Sequence, residues 1–177
     1  DRQNNHAGGG TCVFVKRSLQ CRRVEFSCSA SENNFEAVCV DIISSQIKYR
    51  IFVCYIPPYH GSKSNENLND LIASLEPLLE CDASVVMMGD FNFPDIRWSG
   101  DELLPTECVR NDSLVFVEMV SRHGFLQYVT EPTRVNNILD LVLCNDTFAI
   151  SGLQVGPSFS TSDHNSITFD LFFTESH

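Results

Sequence analysis

Hydrophobic positions along the chain fall into short runs of two different periods, and the most compact run is Val85-Val86-Met87-Met88. Four apolar residues in succession leave no polar face, which is the pattern of a strand buried on both sides. The run leads into Gly89-Asp90-Phe91-Asn92, where glycine allows a sharp turn and Asp90 and Asn92 project from the mouth of a sheet. An Asp and an Asn so placed fit an ordinary strand-to-loop turn equally well. Upstream, Thr11-Cys12-Val13-Phe14-Val15 follows a glycine triplet and predicts a strand. Residues 36–43 and 48–56 predict two more, joined as a hairpin across the break at Ser44-Ser45-Gln46-Ile47-Lys48. The second reaches Tyr55-Ile56-Pro57-Pro58, where the prolines stop it. Tyr55 then shares a rim with Asp90 if the two strands lie side by side.

Residues 64–80 carry Leu68, Leu71, Ile72, Leu75, Leu78 and Leu79 on one helical stripe, with Ser64 or Asn65 as cap. Pro77 is placed to kink or end that helix. The short link at 81–84 leads directly into the central run, so strand, helix and strand form a crossover. Little periodicity follows at 93–106, a loop long enough to be functional. A second helix is predicted from about Asp112 to His123, capped by Asn111 or Asp112 and stopped at Gly124. A short strand at 126–129, an apolar run at 138–143 interrupted by Asp140, and a last strand at 166–173 complete an α/β pattern.

Composition narrows the function. The 177 residues suffice for one domain, and 43% hydrophobic with 20% charged residues is a globular balance. No apolar run is long enough to span a membrane. A formal net charge of -11 argues against gripping DNA over a broad basic surface, because such binding works by phosphate neutralisation and counterion release. Contact with nucleic acid must be local, metal-assisted, or supplied by further chain; an acidic balance suits a divalent-cation site. None of the eight cysteines forms a C-x-x-C pair, and Cys12, Cys39, Cys54 and Cys144 fall in apolar runs. They read as core hydrophobes and reduced thiols of an intracellular protein. The opening at Asp1, without Met, reads as a cut from a longer polypeptide.

Two further places carry candidate chemistry. Asp140 lies among hydrophobic residues, where an unpaired carboxylate is costly and needs a donor. Asp163-His164 stands at the mouth of the last strand and offers an imidazole. Taken singly, Asp140 also fits a strand-end Asp satisfied by backbone amides, and Asp163-His164 a polar loop.

The order of Tyr55-Ile56-Pro57, Gly89-Asp90-Phe91-Asn92, Ile138-Leu139-Asp140-Leu141-Val142-Leu143 and Ser162-Asp163-His164 resembles the endonuclease/exonuclease/phosphatase superfamily of metal-dependent phosphodiesterases. Within it the chain looks most like the DNA-nicking endonuclease of LINE-type (non-LTR) retrotransposons. Phe91-Asn92-Phe93-Pro94-Asp95-Ile96-Arg97-Trp98 and Glu131-Pro132-Thr133-Arg134 are the closest local matches. The resemblance implies a single DNase I-like domain over 1–177: two packed mixed β-sheets flanked by helices in a four-layer sandwich, with the first strands missing. It also implies Mg²⁺, or Mn²⁺ as substitute, the DNA phosphodiester backbone as substrate, a reverse transcriptase encoded in continuity or alongside, no membrane, and action in the nucleus. Asp90 would hold or deprotonate the attacking water, and Asn92 would touch the phosphate and steady Asp90. Tyr55 would donate to a phosphate oxygen, His164 oriented by Asp140 would stabilise phosphoryl charge, and Asp163 would support the metal.

The family pattern also includes an upstream Asn and a metal-binding Glu, and the sequence matches neither. Asn4 and Asn5 precede the glycine turn, while Glu25 and Glu36 follow it. A poor or inactive nuclease is therefore expected of this chain alone. The alternatives are a non-catalytic transposon-derived remnant or binding module, and a relative that hydrolyses another phosphoester. For the latter, an inositol-polyphosphate phosphatase would carry a Trp-Cys-Asp-Arg type motif where this chain has Leu139-Asp140-Leu141.

Overall fold

The computed structural model describes residues 10–26, 35–44, 47–58, 64–98, 105–108 and 110–172. Its elements are β1 (Gln20–Val24), β2 (Glu36–Ser44), β3 (Ile47–Tyr55), α1 (Ser64–Leu79), β4 (Ser84–Asp90), β5 (Arg97–Trp98), β6 (Pro105–Glu107), α2 (Asn111–Arg122), β7 (Leu126–Gln127), β8 (Asp140–Cys144), β9 (Ile150–Ser158) and β10 (Asn165–Leu171). Six strands form one mixed sheet in the order β1-β2-β3-β4-β8-β7, while β9 and β10 pair separately as a second sheet. The β3/β4 pair is parallel and α1 is its crossover; the remaining pairs are antiparallel.

The apolar run became β4 because both faces of this sheet are covered. Side chains alternate across a strand, so Val85 and Met87 join Phe52, Cys54, Leu141 and Leu143 beneath the helices. Val86 instead meets Ile51, Val142, Cys144 and Ile150 in a second core. The β9–β10 sheet closes that core with partly buried Leu153, Val155, Ile167 and Phe169. The α1 stripe is buried at Leu68, Leu71, Ile72, Leu75 and Leu79. The expected two-sheet sandwich is thus present, and among the described residues no helix is long and apolar enough to cross a membrane.

Several local expectations need correction. Residues 11–15 form no strand, although Thr11, Val13 and Val15 are half-buried and Cys12 and Phe14 exposed. Alternation alone does not make a strand without a ladder partner, and Cys12 is no core residue. Cys39, Cys54 and Cys144 are buried free thiols as expected. Strands β1 and β9 carry too little hydrophobic pattern to be anticipated: β1 is an exposed edge, and β9 includes two glycines and a proline. The predicted loop at 93–106 contains the short β5–β6 pair. Pro77 does not stop α1, which continues to Leu79. Helix α2 is capped by neither Asn111 nor Asp112, for Arg110 holds the cap position without a side-chain bond. Asp95 ties the preceding loop to this end of α2, accepting from the Arg110 backbone N–H at 3.1 Å and from Ser113 Oγ at 2.7 Å, while the Ser113 N–H bonds to Asp112 Oδ1 at 3.0 Å. The cap at Ser64 or Asn65, the turn at 45–46, and Phe173 at the end of the last predicted strand fall outside the described residues or side chains.

At the end of the sheet where β3 begins, a buried charge network joins sheet and helix. Asp41 accepts from Arg50 Nε at 2.8 Å and Nη2 at 3.1 Å, and also pairs with Arg22 and Lys48. Arg50 Nη1 donates to the Leu78 carbonyl at 3.0 Å, satisfying an end carbonyl of α1. Burial alone would raise the Asp41 pKa, but the bonds from Arg50, Arg22 and Lys48 outweigh it and hold the carboxyl at about 2. Since the folded pKa lies below the ordinary 3.8, this stabilisation is complete above that value and is lost as pH falls towards 2. Replacing Asp41 by Ala leaves Arg50 buried without its partner and should cost about 3–5 kcal/mol in denaturant unfolding near neutral pH. The difference from the native chain should shrink as the measurement moves into acid.

Candidate active site

Register across the sheet assembles one half of the site. Tyr55 on β3 pairs with Asp90 on β4, and Asp90 pairs with Asp140 on β8, so the three stand in one row at the sheet's rim. They share the face turned toward the β9–β10 sheet, in phase with Val86 and Val142. The other half comes from that second sheet, where His164 immediately precedes β10. Its Nδ1 lies 2.8 Å from Asp140 Oδ2, and its Nε2 lies 4.0 Å from Asp90 Oδ2. Asp140 is the first residue of β8 rather than an interruption within it. Its carboxylate therefore emerges at the rim, where it finds the donor that burial demands.

The sharp turn lies at Asn92 and not at Gly89. Asn92 has φ 52, a left-handed conformation that Asn tolerates, and its backbone N–H folds back to Asp90 Oδ1 at 3.2 Å. Its carboxamide donates to the Ile56 carbonyl at 2.9 Å, tying the loop after β4 to the end of β3. Gly89 has another purpose. With φ 136 it lies so close to β3 that a Cβ there would overlap the Cys54 carbonyl oxygen.

Thr133, which periodicity gave no reason to single out, holds the two halves together. Fully buried, its Oγ1 accepts from the backbone N–H groups of both Leu139 and Asp140 at 3.0 Å. Its carbonyl accepts from the Asn165 N–H at 2.8 Å, beside His164. The signal the sequence carried was the local family match at Glu131-Pro132-Thr133-Arg134. Asp163 does not join Asp90, Asp140 and His164: it is exposed, and its carboxylate pairs with Arg134 Nη2 at 2.6 Å.

Burial raises the Asp90 pKa most, the charge of Asp140 adds to it, and His164 with the Asn92 hydrogen bonds pulls the other way; the carboxyl stands at about 6. Two carboxylates this close repel each other, which a cation between them relieves. Asp90, Asp140 and His164 offer ligand atoms all within 4.8 Å of one another, and among the described residues they are the group so arranged. This donor set, two hard oxygens and an imidazole, fits a divalent cation.

A family model described as "Endonuclease-reverse transcriptase" matches residues 49–168, which includes all six of these predicted site residues. The chain belongs to this family. It is an endonuclease/exonuclease/phosphatase-type domain. Its fold is similar to the endonuclease domain of TRAS1, a telomere-specific non-LTR retrotransposon, at TM-score 0.59 and 14% identity, over 90% of this chain and 72% of that one. A 3′ phosphatase from Neisseria bound to product DNA hairpin is similar at TM-score 0.58 and 12% identity, again over 90% and 72%. An AP endonuclease from Archaeoglobus fulgidus gives 0.53 and 15%, over 75% of this chain and 64% of that one. No curated protein matches the sequence. At these identities the structural likeness is one of fold.

The close approach at Gly89 makes this family member's rim sensitive to a single methyl group. Gly89→Ala must relieve the positive φ and push β3 from β4 next to Tyr55 and Asp90. The backbone conformation alone should cost about 1–3 kcal/mol, so the melting temperature should fall, while a substitution at exposed Gly124, where a Cβ meets nothing within 4 Å, should show only the cost of its φ.

Proposed function

We propose that this chain is a metal-dependent phosphodiesterase that nicks DNA, the endonuclease domain of a non-LTR retrotransposon. The observation that carries the reading is the Asp140–His164–Asp90 arrangement, a carboxylate-oriented imidazole aimed at a second carboxylate of raised pKa. Asp90 holds the attacking water and accepts its proton. The Asn92 backbone N–H fixes the Asp90 oxygen, and its carboxamide holds the loop beside it to the end of β3. With Nδ1 committed to Asp140, His164 directs Nε2–H at the phosphoryl oxygens, where negative charge grows. Tyr55, in the same row, is the further donor to phosphate.

Mg²⁺ or Mn²⁺ would be held by the carboxylates of Asp90 and Asp140, and when bound it would offset phosphoryl charge and lower the pKa of water. Asp163, tied to Arg134, is left for the outer water shell of that ion. No glutamate belongs to this ligand group among the described residues. Mg²⁺ loses its waters reluctantly, so binding by these side chains is weak and nicking by the chain alone is slow. The substrate on this reading is the DNA backbone in the nucleus, with a reverse transcriptase as functional companion, in keeping with the family's description. The small carboxylate set also favours a second reading, a non-catalytic binding module descended from such an enzyme.

Conversion of supercoiled plasmid to the nicked circle separates these. Nicking should require Mn²⁺ or Mg²⁺, stop with chelator, and fall by about 100-fold or more in Asp90→Asn and in His164→Ala. Nicking that persists in Asp90→Asn would overturn the assignment. Mn²⁺ binding without any nicking would leave the binding module.

A further inference from the structure

We propose that Arg134 is a substrate-phosphate contact of this site, held ready by Asp163 until a phosphate replaces that carboxylate; the proposal rests on the phosphodiesterase reading above. The rim presents Asp90, Asp140 and Asp163, and an incoming phosphodiester is itself an anion. The strongly paired Arg50 lies far off. Arg50 pairs with Asp41 near the start of β3, five residues from Tyr55, which at strand rise is roughly 16 Å away. Arg134 supplies a guanidinium at the rim itself, because its partner Asp163 adjoins His164 and its neighbour Thr133 binds the Asp140 N–H.

The stem of Arg134 is fixed, while its head is exchangeable. Its N–H donates to the Asn137 carbonyl at 3.1 Å and its carbonyl accepts from the Asn137 N–H at 2.9 Å, closing a tight turn with Val135 at φ 53. Asn165 fastens the other side of that turn, its N–H to the Thr133 carbonyl and its side chain to the Pro132 carbonyl at 3.2 Å. The ion pair itself is open to water, with Arg134 41% and Asp163 67% exposed. Exposed pairs of this kind add little net stability, so a phosphate, which guanidinium can grip with two parallel bonds, displaces the carboxylate at small cost. A pair serving only to staple the turn would be redundant with the backbone bonds already there. This local cation also answers how a chain of net charge -11 engages DNA.

The test is fluorescence anisotropy of a short labelled DNA duplex titrated with the full chain in chelator, at several salt concentrations. Arg134→Gln should weaken binding about tenfold, as expected for one lost charged hydrogen bond, and lower the slope of log K against log salt by about 0.9. Arg134→Lys should keep the slope, since it still neutralises one phosphate. Asp163→Asn should tighten binding, and the gain should vanish in the Arg134→Gln/Asp163→Asn double variant. Unchanged affinity and slope in Arg134→Gln would overturn the proposal. So would weakening in Asp163→Asn that matches Arg134→Gln, the mark of a structural pair, or no duplex binding by the native chain. Parallel plasmid nicking keeps the two readings apart. The expected binding pattern without nicking would defeat only the nuclease reading, whereas metal-dependent nicking unaltered in Arg134→Gln would defeat only this one.

Discussion

The 2.8 Å contact between His164 Nδ1 and Asp140 Oδ2 joins two sheets that share no backbone ladder. Everything else at the rim depends on it. Asp140 opens a strand whose other residues are buried, so its carboxylate is stable there only with a donor. His164 enters from the second sheet, so its ring is oriented only if that sheet is held in register with the first. Thr133 provides the register by bonding to the backbone of both, and the apolar layer between the sheets keeps them at packing distance. Site geometry and core packing are therefore one problem, because separating the sheets would dismantle the Asp140–His164 pair.

The two ends of the central sheet treat charge in opposite ways. Near the start of β3, one buried carboxylate meets Arg22, Lys48 and Arg50, and the surplus of donors holds Asp41 ionised down to about pH 2. At the other end carboxylates face each other, and the Asp90 pKa rises to about 6. The first arrangement stabilises the fold, and the second holds electrostatic tension that a cation or a proton relieves. The β3/β4 pair connects the two ends, and Gly89 lets these strands approach closely beside the site.

Structures of similar fold include a retrotransposon endonuclease domain, a 3′ phosphatase and an AP endonuclease. Such a scaffold presents residues at one rim of a two-sheet sandwich and leaves substrate choice to the loops around it. In this chain the relevant surroundings are the turn bearing Arg134 and Val135 and the segment joining β9 to β10, where Phe159 is exposed.

Local sequence by itself determined a good deal. The run 85–88 specified a strand buried on both faces, the leucine stripe of α1 specified a packed helix, and the prolines after Tyr55 ended β3 at the rim. Each signal is local, since periodicity and turn chemistry are written in neighbouring residues. The order of Asp90, Asn92, Asp140 and His164 pointed to a family and hence to residues that should meet. Only the tertiary structure decided how they meet: that Asn92 rather than Gly89 makes the turn, that Asp95 binds the Ser113 hydroxyl of a helix it does not belong to, and that Asp163 faces Arg134 and not the ligand group. Residues 11–15 have a strand's alternation yet no strand partner, and β9 has a partner despite a weak pattern. Contacts across strands and between sheets depend on register and packing over long chain separations, and no stretch of neighbouring residues carries that information.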